Sequence, residues 1–327
     1  MGDEKSRAKV SVALIGVGPT WDLHYREAVQ RLSARIRVRA VCDGVLMRAA
    51  AVADEFAAAP VDSPWLLTQR TDLHAWLIFD PGWFGLYPAD LATRIGRPAL
   101  FANTFASPLT PVTRTLQQSR DSGELLMPEF PQRFTPATTR LRELMATKLG
   151  RVRRIELVIP HADSNFGSVA DWFIKNQSEA VGLFDWCSWL IGARCNGVSL
   201  QATPTGPQFE LTFAPRAADA EAARATLRFS STDDSVTRAV ECERGSATTS
   251  GPTQICWRTN DEQAVETFGH ERSPYEIILD QFCRRALGGL VPVPTLLDAL
   301  QAIANRELAL ACANQLPSTP ARPHPSS

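Results

Sequence analysis

The segment KVSVALIGVG (residues 9–18) runs an almost unbroken apolar strand into two glycines. A strand that is apolar on both sides must be covered on both sides, as a central strand of a parallel sheet is. Glycines at its end let the chain turn sharply, and Pro19 supplies a favourable first helical residue. Tyr25, Ala28, Val29 and Leu32 then mark one face of the following helix. The pattern recurs: IRVRAVCD (36–43) reads as strand, LMRAAAVADEFA as helix, AWLIFDP (75–81) as strand, ADLATRIG as helix and PALFAN (98–103) as strand. This alternation predicts a Rossmann-like α/β domain, a doubly wound parallel sheet, over residues 1–130.

Beyond RVRRIELVIP (151–160) the period changes. FELTFAP, ATLRFSS, VTRAVECERG and QICWRT alternate apolar and polar residues between turn residues, as strands with one buried face do. Residues 131–315 are therefore expected to form an α+β substrate and oligomerisation domain on a large, mainly antiparallel sheet. Two closing helices within 272–314 are expected to pack partly back on the first domain. The first is SPYEIILDQFCRRALGG, capped by Ser273 and stopped by Gly288 and Gly289; the second is TLLDALQAIANRELALACANQ. The proline-rich residues 316–327 read as a disordered tail.

Composition narrows the class of partner. A net charge of -1, with 44% hydrophobic and 21% charged residues, carries no basic excess for nucleic acid or an anionic membrane, which leaves a small molecule. The polar start MGDEKSRAK runs directly into a strand, so a cytoplasmic protein is expected. The seven cysteines (42, 187, 195, 242, 256, 283 and 312) are odd in number, dispersed and without C-x-x-C spacing. They read as buried thiols in a reducing compartment, and no metal site is predicted.

Gly16 and Gly18 suit a dinucleotide turn: the first allows the bend and the second lets the backbone approach a pyrophosphate. That anion is expected at the helix start formed by Pro19, Thr20 and Trp21. A third glycine is due where Trp21 stands, implying either a displaced helix or an indole filling part of the groove. Asp43, ending the second strand, could accept hydrogen bonds from both ribose hydroxyls and would repel the extra phosphate of NADP, so NAD is the favoured cofactor. The alternative is an acid in a solvent-facing loop.

Gly16-Val17-Gly18 with Trp21 and His24 resembles the Gly-x-Gly-x-x-Gly-x-x-His opening of the glucose-fructose oxidoreductase, inositol dehydrogenase and rhizopine-catabolism (Gfo/Idh/MocA) family. Pro81 after LIFD, Gly96 before PALFAN, Gly123, PQRFTPATTRLRELMATKLGRVRRIELV, GLFDWCSWLIG and the closing helices extend the resemblance over nearly the whole chain. It implies an NAD(P)-dependent oxidoreductase acting on a sugar, polyol or related hydroxyl compound, assembled as a homodimer or homotetramer. Asp80 and Pro81 would then lie beside the nicotinamide ribose, and Trp83 with Tyr87 would form an aromatic wall unless they are simply core.

The resemblance also implies a lysine after the fifth strand and a histidine in the second domain, which together handle the substrate proton. Anchoring on Gly96, Gly123 and Arg133-Phe134 places Asn103 at the lysine position, between Ala102 and Thr104; aligning ASP (106–108) instead, with four residues inserted, puts Ser107 there, and either choice leaves no cation. Asp185, Trp189 and Gly192 match half of the second motif, which puts Gly182 at the histidine position and Ser178 at the preceding aspartate. Neither asparagine nor glycine can exchange the hydroxyl proton that accompanies hydride transfer. His161 in VIPHADSN, Lys175 in DWFIKNQSEA and Glu179 are the replacement candidates, each also readable as an ordinary loop or surface side chain. Asn103, His161 and Asp185 are expected to line the substrate pocket. Two functions remain open: an oxidoreductase using such replacements, or a catalytically inactive relative that binds a nucleotide or sugar-like ligand as a sensor or partner subunit.

Overall fold

The computed structural model describes residues 9–106, 108–123, 125–160, 168–203, 206–215, 221–230, 235–269 and 271–315. They fall into two compact units, one drawn from Met1–Thr135 and His270–Leu300, the other from Pro136–Gly269 and Gln301–Ser327. His161 and residues 316–327 lie outside the described residues.

The first unit is built on strands β1 (Val10–Ile15), β2 (Ile36–Cys42), β3 (Ala59–Val61), β4 (Ala75–Ile78), β5 (Ala99–Phe101) and β6 (Leu126–Pro128). All pair in parallel, in the order β3-β2-β1-β4-β5-β6, so the winding reverses between β1 and β4. Helices α1 (Arg26–Arg31), α2 (Leu46–Glu55), α3 (Pro64–Thr68), α4 (Tyr87–Arg94) and α5 (Leu109–Ser122) connect them. The predicted α1 face of Tyr25, Ala28, Val29 and Leu32 is buried, as is nearly all of β1. Elements β3, β6 and α3, three to five residues long, are too short to show a hydrophobic period and escaped the sequence reading.

Trp21 resolves differently from either expectation. Its ring is fully buried, 5.2 Å from Phe79 and 5.8 Å from Phe56, so the indole belongs to the core and does not fill the groove. The helix accommodates it by widening its first turn over Trp21–Tyr25, where the Arg26 N–H reaches back to the Trp21 carbonyl.

The second unit holds α6 (Pro136–Leu144), α7 (Val169–Lys175) and α8 (Gln177–Ile191). Its strands are β7 (Val152–Pro160), β8 (Cys195–Thr203), β9 (Gly206–Phe213), β10 (Arg224–Ser230), β11 (Thr237–Cys242), β12 (Gly245–Ser250), β13 (Gln254–Thr259) and β14 (Gln263–Thr267). They pair in the order β14-β13-β12-β11-β7-β10-β9-β8, antiparallel except for β7 with β10. Phe173 of α7 packs on Phe184 of α8, Phe209 of β9 and Phe229 of β10. In β13, Ile255 and Trp257 face inward while Cys256 faces out. The expectation of uniformly buried thiols is corrected accordingly: Cys256 is exposed and Cys312 half-buried, the other five buried.

Helix α9 (Pro274–Ala286) starts at Ser273, whose hydroxyl accepts the Glu276 N–H, and its Ile278, Leu279 and Phe282 join the core of the first unit. Helix α10 (Leu296–Ala313) follows. Among the described residues no helix is long and apolar enough to cross a membrane.

Candidate functional site

Ligands of doubly wound folds bind outside the carboxyl ends of the strands where the winding reverses. Here Gly16, Asp43, Asp80, Asn103 and Glu129 all stand one or two residues beyond the ends of β1, β2, β4, β5 and β6. Gly16 adopts φ +74, and an added Cβ would sit 2.1 Å from the Asp80 carbonyl oxygen and 2.7 Å from the Pro81 nitrogen. The Gly16 N–H donates to the Cys42 carbonyl at 2.8 Å and its own carbonyl accepts the Asp80 N–H at 3.0 Å. Gly16 is thus required to bring three strand ends together.

The Asp80 carboxylate lies on the start of the helix that follows. Oδ2 accepts the Thr20 N–H at 2.7 Å and the Trp21 N–H at 3.3 Å, and Oδ1 accepts the Thr20 hydroxyl at 2.6 Å. These are the donors that a helix leaves without a partner in its own ladder, at the positive end of its dipole. The open flank of Gly18 faces the same group, with a built Cβ 3.0 Å from Asp80 Cβ and 3.2 Å from Oδ2. Trp21 contributes its backbone N–H here, while its ring stays in the core.

Asn103 sits at φ +51, a left-handed conformation that asparagine tolerates better than most residues. Its side-chain amide donates to Asp80 Oδ1 at 3.4 Å and to the Thr20 hydroxyl at 3.3 Å, and its backbone N–H donates to Glu129 Oε2. Glu129 Oε1 accepts the Tyr25 hydroxyl at 2.7 Å. Burial pushes the Glu129 carboxyl above its ordinary range; the Tyr25 and Asn103 hydrogen bonds oppose this and the Asp80 charge adds to it. Burial, then Glu129, holds the Tyr25 hydroxyl well above the usual tyrosine range. His24 stacks on Tyr275 at 4.2 Å, and burial lowers its pKa.

Asp43 is expected to receive ribose hydroxyls, yet in the structure it accepts the Val17 N–H and the Val45 N–H, each at 2.8 Å, and is 4% exposed. Arg48 approaches it at 3.9 Å. The indole of Trp83 covers the adjoining Gly44, where a Cβ would meet Trp83 Nε1 at 2.2 Å. Trp83 is not core: it is 78% exposed and its ring packs on Phe84 at 4.3 Å.

In the second unit, Gly182 and Asp185 are buried on α8, and Glu179 is half-buried one turn earlier. Burial raises the Glu179 carboxyl, opposed by the charge of Arg238 on β11. The Arg238 guanidinium lies over the Trp186 ring at 5.6 Å. Lys175 stands exposed at the end of α7, a helix closed at its start by the reciprocal Ser168 and Asp171 cap.

Sequence reasoning brought Gly16, Gly18, Thr20, Asp80 and Asn103 to one place but missed Glu129 and Arg238. For Glu129 a signal existed: like Asp43, it directly follows a parallel strand, but β6 is too short to be recognised beforehand.

No family model matches the sequence, and no curated protein matches it significantly. Solved structures do. A dehydrogenase (MviM) from Clostridium difficile matches with a TM-score of 0.71 at 12% identity, over 93% of this chain and 99% of the other. UDP-N-acetylglucosamine 3-dehydrogenase GnnA from Acidithiobacillus ferrooxidans matches with a TM-score of 0.68 at 16% identity, over 94% and 98%. A Gfo/Idh/MocA family oxidoreductase from Vibrio cholerae matches with a TM-score of 0.69 at 12% identity, over 94% and 98%. The chain therefore has the fold of the Gfo/Idh/MocA oxidoreductases: a Rossmann-like parallel sheet followed by a large, mainly antiparallel one.

Proposed function

We propose that this chain is a divergent member of the Gfo/Idh/MocA oxidoreductase family that has lost hydride transfer and binds a sugar-like small molecule as a sensor or partner subunit. The observation that carries this reading is Asn103. Oxidising an alcohol carbon requires a group that takes the hydroxyl proton as hydride leaves, and an amide cannot do so near neutral pH. Asn103 is also committed, with its donors spent on Asp80, Thr20 and Glu129. Gly182 offers no side chain at the second proton-handling position.

A second reading, an NAD(P)-dependent sugar or polyol oxidoreductase, is favoured by one observation. Glu179 has a carboxyl raised by burial, which suits a general acid, and it lies one turn from Gly182.

The two readings separate in one assay. Sugars, polyols and nucleotide sugars are offered to the full chain with NAD+ or NADP+, reduced cofactor is followed by absorbance, and ligand binding is followed by thermal shift. The expected result is a shift with at least one sugar-like compound and no cofactor reduction with any. Reduction above background that Glu179→Gln abolishes would establish the oxidoreductase instead.

A further inference from the structure

We infer that Asp80 fills the seat a dinucleotide pyrophosphate takes in a fold of this kind, so that the native chain excludes NAD(H) and NADP(H). This rests on the redox-silent reading and goes beyond it, since a silent protein could still hold an unused cofactor.

Such a seat offers free N–H groups at a helix start, a glycine flank that admits phosphate oxygens, and a positive dipole end. In this chain one carboxylate takes all three. Asp80 holds the Thr20 and Trp21 N–H groups and the Thr20 hydroxyl, and it lies against the Gly18 flank. An incoming diphosphate would have to break these three bonds and leave a displaced carboxylate beside its own charge. Asn103 adds a fourth restraint by donating to Asp80 Oδ1. On the adenosine side Asp43 is only 4% exposed and hydrogen-bonded to Val17 and Val45, and the Trp83 ring covers Gly44, which narrows access to a ribose. The residues present do not fit the cofactor that the fold implies. The chain supplies the anion itself.

Calorimetric titration of the full chain with NADH, NADPH and inorganic pyrophosphate tests this. The native protein is expected to give no saturable binding at millimolar ligand. Asp80→Ser, which frees the donors and the Gly18 flank, is expected to bind pyrophosphate and NADH at least about tenfold tighter, with affinity falling as salt rises. Asp80→Asn keeps the shape and removes the charge, so it should also bind more tightly than the native chain; it decides the matter should the serine variant fail to fold. Micromolar binding of either cofactor to the native protein would overturn the inference, as would folded variants that bind no better than it. Native binding without turnover would sink this inference and leave the redox-silent reading standing, whereas cofactor reduction would sink that reading.

Discussion

The turn after β1 and the middle of α8 are the two places where the family resemblance implies cofactor and proton chemistry, and they differ in what their side chains offer. At the turn the side chains bond to the protein itself: Asp80 to Thr20 and Trp21, Asp43 to Val17 and Val45, Asn103 to Asp80 and Glu129. On α8 the position that the resemblance assigns to the proton-handling histidine is Gly182, which has no side chain. The turn persists for a reason unrelated to any ligand, because Gly16 must pack on the main chain of Asp80. A glycine fingerprint can therefore report the fold alone, while the side chains at the strand ends report the chemistry.

Breaking the backbone side of that comparison has the largest expected effect. Gly16→Ala places a methyl 2.1 Å from a carbonyl oxygen at φ +74, and a loss of about 5 kcal/mol, or no folded protein, is expected in urea denaturation. A native-like midpoint would show that the close approach of Gly16 and Asp80 is dispensable. Trp21→Gly restores the third glycine of the fingerprint but empties a fully buried site between Phe56 and Phe79. It should lose about 4 kcal/mol through cavity formation and the glycine's backbone freedom, with no gain in NADH binding. A gain would place the indole in the groove.

Most of the architecture was legible because it rests on periodicity. The apolar run of β1 is buried on both faces, and Ile255 and Trp257 of β13 alternate with outward-facing residues. What escaped was short or directional. The three-residue β6 was not read as a strand, so the acid after it, Glu129, went unplaced. No spacing shows which way a side chain turns, so neither alternative open for Trp21, a displaced helix or an indole in the groove, matched its place in the core, and Cys256 was expected among the buried thiols. Hydrogen bonds between residues as distant in sequence as Thr20 and Asp80 depend on the sheet having formed, and no local pattern carries them.

A smaller effect is expected from the half-buried Glu129 carboxylate. Burial raises the Glu129 carboxyl above its ordinary value of 4.5, so the folded state holds this proton more tightly than the unfolded state does. Its contribution to stability is fully present below that value and is lost as pH rises through the raised folded-state pKa. Denaturation over a pH series should show the native chain losing stability relative to Glu129→Gln as pH climbs from about 4.5. Parallel pH profiles would show that burial does not control this group.

The smallest effect is expected at Lys175, and it bears on the oxidoreductase reading of the second unit. Lys175 is exposed at the last turn of α7, where its charge acts weakly on Asp171 and favourably on the helix dipole. Lys175→Ala should therefore cost no more than about 0.5 kcal/mol and leave any sugar-induced thermal shift unchanged. Glu179 differs, since it is half-buried and faces the charge of Arg238. If Lys175→Ala abolished ligand binding while stability held, an exposed ammonium would be recruited to the site on binding. That outcome would favour the oxidoreductase reading, with a group from a neighbouring helix serving beside Gly182.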